Sequence, residues 1–177
     1  MTDPSISILA ETPEDAIAIE RLHERTFGPG RFVRTAERIR ERREHLLALS
    51  FTARVGTLLV GSVRVTPVQI GSTPALLLGP LTVEPPFRGR GIARALLDRT
   101  LNEVRAVGHR LVVLVGDEQY YARSGFARIP KGQVIMPGPV DPARLLVAEL
   151  VAGAFAGVKG PLRPAWGEAT DGFQEPP

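Results

Sequence analysis

Apolar and polar residues alternate at the start of the chain. The alternation in "SISILAET" (5–12) predicts a β-strand with one covered face. In "TPEDAIAIERLHERTF" (12–27) apolar residues recur at helical spacing, and Thr12, a proline and two acids form a favourable helix start. After a break at "GPGR" (28–31), the stretch 33–45 predicts a second, charged helix.

The middle of the chain consists of long apolar runs separated by turn residues. The runs 46–55, 57–70 and 75–83 are divided by turns at Gly56 and near "GSTP". This arrangement predicts an antiparallel meander of three strands.

A helix and a buried strand are predicted to follow the meander. A helical apolar face begins near Gly91 and ends at Gly108, and "RLVVLVG" (110–116) is a continuous apolar run, as in a strand covered on both sides. The helix then connects two parallel strands by a right-handed crossover. "EQYYARS" fits a short helix, and "GFARI" fits another strand.

The C-terminal part has a weaker pattern. "RLLVAEL" (144–150) fits a strand or a helix, and 151–177 is rich in glycine and proline, which predicts mostly irregular structure. We expect an α/β (α+β) fold in a single domain over 1–177, with a core at about 5–130 and a C-terminal extension at 131–177.

Composition narrows the class of protein. The chain has 177 residues, 44% hydrophobic and 23% charged, which is enough for one domain with its own core. No apolar run reaches the roughly 18 residues of a membrane span, and no signal-peptide pattern is present. The lack of cysteine excludes disulfides, thiolate metal sites and a cysteine nucleophile, and the three histidines are scattered. We therefore expect a cytoplasmic protein without a membrane partner or a metal.

The basic residues are more clustered than the net charge of +3 suggests. "RTAERIRERREH" (34–45) contains five arginines and three glutamates, as on a salt-bridged, solvated helix face. A nucleic-acid patch is the alternative, but the segment lacks interleaved aromatic residues and a known binding motif. We expect no nucleic-acid partner.

Two glycines and two arginines precede the central helix in "EPPFRGRGIARALL". A helix N-terminus leaves about four N–H groups without partners, and Gly89 and Gly91 let an anion approach them. Arg88 and Arg90 add charged donors. Residues 88–93, called the glycine loop below, therefore predict a phosphate or pyrophosphate site. The alternative is a glycine turn with solvated arginines. P-loop and dinucleotide motifs do not match, because the required lysine and third glycine are missing.

A proline interrupts the last meander strand, "ALLLGPLTV". Because Pro80 cannot donate to a ladder and Gly79 precedes it, we expect a β-bulge there. The bulge would separate this strand from 110–116 and open a cleft beside the glycine loop. An extended, amide-bearing ligand could bind to the strand backbone in that cleft.

The segment "LTVEPPFRGRGIARALL" resembles the signature of the GNAT superfamily of acyl-CoA-dependent N-acetyltransferases, (Q/R)-x-x-G-x-(G/A), at Arg88, Gly91 and Ala93. "YYARSGF" resembles the family's (F/Y)Y-x-x-x-GF segment and places Tyr121 at its tyrosine position. The resemblance is strong over 75–130, and "GHRLVVLVGDEQYYARSGF" is similar to one bacterial branch of predicted small acetyltransferases.

The resemblance implies a mixed, mostly antiparallel central sheet that is splayed between two strands and flanked by helices. It implies acetyl-CoA as cosubstrate, with the pyrophosphate on the glycine loop and the pantetheine between the splayed strands, and no metal. The implied coenzyme-binding residues are Leu81, Thr82, Val83, Arg88, Gly89, Arg90, Gly91, Ile92 and Ala93.

The resemblance also suggests catalytic roles. Tyr121 would be the acid that protonates the coenzyme thiolate, and the backbone N–H of Val83 would polarise the acetyl carbonyl. Tyr121 could instead be a tyrosine that packs at the edge of the core. Glu84 is a candidate general base or a solvated carboxylate. Of Asp117 and Glu118, we expect one to cap the following helix, although both could hold a cationic substrate.

The implied reaction moves an acetyl group from acetyl-CoA to a primary amine of a small molecule or protein, by direct attack in a ternary complex. A non-catalytic acyl-CoA-binding sensor or partner module is the alternative, because no firm base is evident. We expect the extension 131–177 on or near the acceptor side. Trp166 either shapes an acceptor pocket or anchors the tail, and the apolar C-terminal segment could pair across a homodimer.

Overall fold

The computed structural model describes residues 5–28, 35–40 and 44–165. Its strands are β1 (Ile6–Ala10), β2 (Phe51–Val55), β3 (Leu58–Ile70), β4 (Thr73–Val83), β5 (Leu111–Val115), β6 (Phe126–Arg128), β7 (Val134–Ile135), β8 (Leu145–Glu149) and β9 (Gly160–Pro164). Its α-helices are α1 (Ala16–Phe27), α2 (Thr35–Arg40), α3 (Ile92–Ala106) and α4 (Glu118–Tyr121). Short 3₁₀ turns lie at Pro13–Asp15, Leu47–Leu49, Pro85–Phe87, Ala122–Ser124 and Pro142–Arg144.

Seven of the strands form a mixed sheet in the order β1-β2-β3-β4-β5-β8-β6, and β9 joins it by pairing with β3 and with β7. β4 and β5 run parallel and are connected through α3, whereas the other neighbours in this order are antiparallel. The predicted meander, the parallel crossover pair and the mixed, mostly antiparallel sheet are therefore confirmed. The stretch 144–150, for which the sequence allowed either a strand or a helix, contains β8. This strand lies between β5 and β6 in the sheet.

Helices cover both faces of this sheet. The central helix α3 buries Leu96, Leu97 and Val104 against one face, where β3, β4 and β5 contribute alternate side chains. On the other face, Ile39 of α2 joins a second apolar cluster, and α1 lies over β3 and β4. Since alternate residues of β4 and β5 belong to the two clusters, these strands have apolar side chains on both faces, as the continuous runs predicted.

The predicted strand at 46–55 begins later than expected, at Phe51. Leu47–Leu49 form a 3₁₀ turn instead. The hydroxyl of Ser50 donates to the carbonyl of Leu46 (2.7 Å) and accepts the N–H of Val65 (3.2 Å), so a side chain takes the place of a ladder bond here. The start of the strand was therefore predicted wrongly.

The prediction of mostly irregular structure after residue 150 is wrong for β9. β3 is longer than β2, and β9 pairs with residues 68–70 of β3, beyond the last residue that β2 covers. Pro161 and Pro164 made the segment resemble a loop, but β9 pairs antiparallel with β3 and parallel with β7. The part of the tail that includes Trp166 lies outside the described residues.

A buried ionic cluster joins the end of β1 to β3 and to the segment before β2. The side chain of Glu11 is 1% exposed, and its carboxylate accepts a hydrogen bond from Arg64 Nη2 at 2.7 Å. His45 Nε2 lies 2.9 Å from the same carboxylate. Burial alone would raise the pKa of Glu11, but the hydrogen bonds from His45 and Arg64 outweigh it and lower the pKa.

The charged second helix was predicted over 33–45. In the part that the structure describes, it covers Thr35–Arg40, and residues 44–46 are not helical. Among the described helices, none is long and apolar enough to cross a membrane.

Candidate active site

β4 and β5 separate after a short paired stretch. They pair only at Leu76–Val112 and Leu77–Val113. Beyond this point β5 continues its ladder with β8, while β4 continues with β3. The two strands therefore leave exposed backbone edges that face a common space.

The separation coincides with the predicted bulge in β4. Val63 pairs with Leu81, but Val65 pairs with Leu78, so Gly79 and Pro80 together lie opposite one residue of β3. This register shift confirms the predicted β-bulge. Gly79 has a φ of +126°, and a Cβ there would lie 2.8 Å from Nη2 of Arg40, so the guanidinium of α2 lies directly against the bulge.

A cleft of about 600 Å³ opens between the separated strands, and we call it the β4–β5 cleft. It is bounded by α1, α2, the two strand ends, α4 and the loop before β8. Its charged and phenolic lining residues are Arg40, Asp117, Tyr120, Tyr121, Asp141 and Arg144. The other lining residues are Phe27, Ala36, Leu78, Gly79, Pro80, Leu81, Leu114, Val115, Gly116, Pro139 and Val140.

The glycine loop follows β4 and leads into α3. Gly89 and Gly91 both have a φ of +77°, a conformation that glycine adopts without strain, and a Cβ at either would meet nothing within 4 Å. The first α3 hydrogen bond runs from the N–H of Ala95 to the carbonyl of Gly91 at 2.9 Å. The N–H groups of residues 92–94 are thus left without helical partners at an open surface, as an anion site requires.

The arginines of the loop are held in different ways. Arg88 Nε donates to the carbonyl of Val83 at 3.1 Å, which ties the loop back to the end of β4. The guanidinium of Arg90 stacks 5.2 Å from the ring centroid of Phe87. Both side chains are exposed on the loop and can present charge to a bound anion.

The remaining predicted coenzyme residues divide into lining and packing residues. Leu81 lines the cleft. Thr82 and Ile92 are each 2% exposed, so their side chains pack in the interior, and Ala93, in the first turn of α3, packs against the core. Thr82 and Ile92 could therefore contact a ligand only through their backbone.

The backbone N–H of Val83 points away from β3. The next N–H, of Glu84, donates to the carbonyl of Val60 at 2.8 Å. Because successive backbone N–H groups in a strand point to opposite sides, the Val83 N–H points to the β5 side. Its carbonyl, which accepts from Arg88, lies on the same side.

Tyr121 stands at the end of α4 and lines the cleft. Its ring packs edge-on against Phe126 (centroids 5.8 Å apart) and Tyr120 (4.9 Å). Burial raises the pKa of Tyr121 to about 12, although Arg144 acts in the opposite direction. The phenol is therefore protonated at neutral pH and can donate a proton.

Gly116 is a site residue that the sequence did not identify. A Cβ on Gly116 would overlap Cε2 of Tyr121 and lie 3.0 Å from Cδ2, so only glycine lets the ring lie over the end of β5. The signal was a glycine that ends a buried strand five residues before the tyrosine. Such glycines are too common to be informative alone.

Glu84 is held by a distant arginine. Its carboxylate accepts hydrogen bonds from Nε of Arg25 at 2.9 Å and from Nη2 of the same side chain. Glu84 is not among the residues that line the cleft. The structure thus places the candidate base next to a cation of α1.

The two acids after β5 have local partners. Asp117 accepts the N–H of Gln119 at 3.0 Å and caps α4, which confirms the predicted cap. Glu118 accepts from Arg128 at 2.6 Å. Among the described residues, no group of three or more His, Cys, Asp or Glu side chains could hold a metal ion.

Similarity to known proteins agrees with this geometry. Residues 10–129 match the family model of the acetyltransferase (GNAT) domain. The uncharacterized N-acetyltransferase YhbS of Escherichia coli strain K12 is 30% identical over 155 residues, which cover 86% of this chain and 92% of YhbS.

Solved structures show the same fold. The crystal structure of E. coli YhbS in complex with CoA has a TM-score of 0.78 and 27% identity, and covers 93% of each chain. A GNAT family acetyltransferase from Brucella melitensis in complex with acetyl-CoA has a TM-score of 0.60 and 27% identity, over 86% of this chain and 99% of that one. The chain therefore belongs to the GNAT family of acetyltransferases.

Proposed function

We propose that the chain transfers an acetyl group from acetyl-CoA to the primary amine of a small molecule or a protein, in a ternary complex of enzyme, acetyl-CoA and amine. The observation that supports this most strongly is the β4–β5 cleft, which opens at a bulge in the strand that leads into the glycine loop. YhbS and the Brucella protein, which share this fold, are in complex with CoA and acetyl-CoA.

The residues present fit the coenzyme. The unpartnered N–H groups of residues 92–94 and the exposed charges of Arg88 and Arg90 would hold the diphosphate. The exposed backbone edge of residues 81–83 would hydrogen-bond to the amides of the pantetheine arm. Apart from the two arginines, these residues would bind the coenzyme through their main-chain atoms.

Bound acetyl-CoA supplies the thioester carbonyl that the neutral amine attacks. At pH 7, deprotonating a lysine-like amine with a pKa of about 10.4 costs roughly 4.6 kcal/mol. As the C–N bond forms, the Val83 N–H would donate to the carbonyl oxygen. As the C–S bond breaks, Tyr121 would give its phenolic proton to the sulfur. The amine would lose its proton to a general base or to solvent, and the phenolate would regain a proton from solvent. The products are the N-acetylated amine and the free coenzyme thiol.

Glu84 is the proposed general base, but its ion pair with Arg25 would have to open for this role. If Glu84 is the base, Glu84→Gln lowers kcat far more than Arg25→Gln does. If the ion pair only stabilises the packing of α1 against the end of β4, the two variants have equal, small effects on kcat. A steady-state comparison of the two separates these roles.

The pairing of Glu84 also supports a second candidate, a non-catalytic acyl-CoA sensor. Such a sensor would bind acetyl-CoA without transferring its acetyl group to any amine. A bacterial, cytoplasmic location and a homodimer also remain predictions.

The proposed function is tested by following free thiol release from acetyl-CoA with a broad panel of amines. Thiol release that requires an amine supports the enzyme. Acetyl-CoA binding without release from any amine favours the sensor. Arg88→Glu should abolish acetyl-CoA binding in calorimetry, while Arg163→Gln, at the exposed position of β9, should not change it.

A further inference from the structure

The charges in the β4–β5 cleft are balanced. Arg40 and Arg144 contribute two cations, and Asp117 and Asp141 contribute two carboxylates. Each carboxylate accepts one backbone N–H of the turn that follows it, at 3.0 and 2.9 Å, so both also act as caps. A polycation would therefore meet as many arginines as carboxylates in this cleft.

Arg144 lines the cleft, and its backbone is held in place. Its carbonyl accepts the N–H of Gly116 at 2.9 Å, at the strand end over which Tyr121 lies. Among the described residues, no hydrogen bond or ion pair engages its guanidinium. The charge of Arg144 nevertheless acts on the phenol of Tyr121. An exposed cation with a fixed backbone thus lies beside the proposed proton donor.

The rest of the cleft is apolar and limited in size. Side chains such as Phe27, Leu78, Leu114 and Val140 line a volume of about 600 Å³, which the acceptor would share with the pantetheine arm. The space suits a small molecule with an apolar body.

Building on the proposed function, we propose that the acceptor is a small amine that also carries a carboxylate, such as an amino acid with an apolar side chain, and that Arg144 binds this carboxylate. A guanidinium can bind a carboxylate with two parallel N–H···O bonds, which fixes the orientation of the ligand. Binding at Arg144 would bring the amine to the end of the cleft where Tyr121 lies. The apolar side chain of the acceptor would then face the apolar lining.

Three matched amines test this inference: leucine, leucinamide and 3-methylbutylamine, compared at equal concentrations of unprotonated amine. We expect wild-type kcat/KM to be highest for leucine. Arg144→Gln should raise KM for leucine roughly 10- to 100-fold, as expected for a lost charge-assisted hydrogen bond, and change KM for leucinamide less than twofold. Arg144→Lys should restore part of the affinity, and Arg163→Gln should behave like wild type.

The outcomes separate this inference from the proposed function. Equal use of the three amines, turnover only with polyamines or peptides, or an equal effect of Arg144→Gln on all acceptors would overturn the carboxylate site while leaving the acetyltransferase intact. If wild-type protein does not bind acetyl-CoA in calorimetry, or binds it and acetylates no amine, the proposed function itself fails. That result would also contradict the proposed carboxylate site.

Discussion

The ring of Tyr121 lies so close to the backbone of Gly116 that a Cβ at Gly116 would overlap the ring. This contact fixes the phenol over the end of β5, at the edge of the cleft. It connects a strand end, which the fold positions rigidly, with the proposed proton donor.

Gly116→Ala should therefore displace the phenol. Because a misplacement of about 1 Å in a catalytic group can cost roughly 10²-fold, we expect kcat to fall by about that factor while acetyl-CoA affinity stays unchanged. Steady-state kinetics and calorimetry measure the two quantities.

The control is a double-mutant cycle. In a Tyr121→Ala background there is no ring to displace, so adding Gly116→Ala should change kcat little. If Gly116→Ala lowers kcat equally in both backgrounds, the glycine acts through something other than the ring.

Tyr121→Phe should keep the packing against Phe126 and remove only the hydroxyl. If the phenol protonates the leaving sulfur, kcat should fall by roughly 10²-fold or more. Since the pKa of Tyr121 is raised to about 12, its acid form persists throughout the usual assay range. Wild-type kcat should accordingly show no alkaline loss due to this group until the pH approaches about 12. Unchanged turnover in Tyr121→Phe would remove it from the mechanism.

Much of this site was predictable from local sequence signals. Gly79 and Pro80 indicated the bulge because proline cannot donate to a ladder, and Gly89 and Gly91 indicated the anion site because of their place before a helix. These signals depend on backbone chemistry that neighbouring residues determine.

The features that were missed depend on partners far apart in the sequence. Arg25 and Glu84 are 59 positions apart, and no local sequence pattern predicts their ion pair. The pairing of β9 depends on how far β3 extends beyond β2. Arg144 became a candidate binding residue only because the fold places it in the lining of the cleft.

Gly91→Ala should weaken acetyl-CoA binding. The φ of +77° at Gly91 costs an alanine roughly 1–2 kcal/mol, and relief of this strain would rotate the amides of the glycine loop. Gly108→Ala is the matched control, because Gly108 has a φ of +90° and open space just beyond the other end of α3. Both variants should lose similar stability in urea unfolding, but only Gly91→Ala should lose affinity in calorimetry. Equal affinities would mean that the loop does not bind the coenzyme.

Glu11→Gln should change the dependence of stability on pH. The pKa of Glu11 is lower in the folded protein than its ordinary value of 4.5, so the carboxylate stabilises the fold above pH 4.5 and loses this effect as the pH falls through the lowered pKa. We expect a loss of roughly 3–5 kcal/mol at pH 7 and a smaller difference from wild type in acid.

Urea unfolding across pH 3–7 measures this difference. Glu118→Gln, which removes an exposed ion pair with Arg128, should cost only about 0–1 kcal/mol and serves as the control. A constant difference between Glu11→Gln and wild type at every pH would contradict the assigned role of the carboxylate.

The proposed coenzyme site is tested most directly by a crystal structure of this chain with bound CoA. We predict that the diphosphate accepts hydrogen bonds from main-chain N–H groups of the glycine loop and that the pantetheine arm lies between β4 and β5, alongside residues 81–83. A diphosphate bound at any other surface, with the glycine loop empty, would show that this loop is not the coenzyme site.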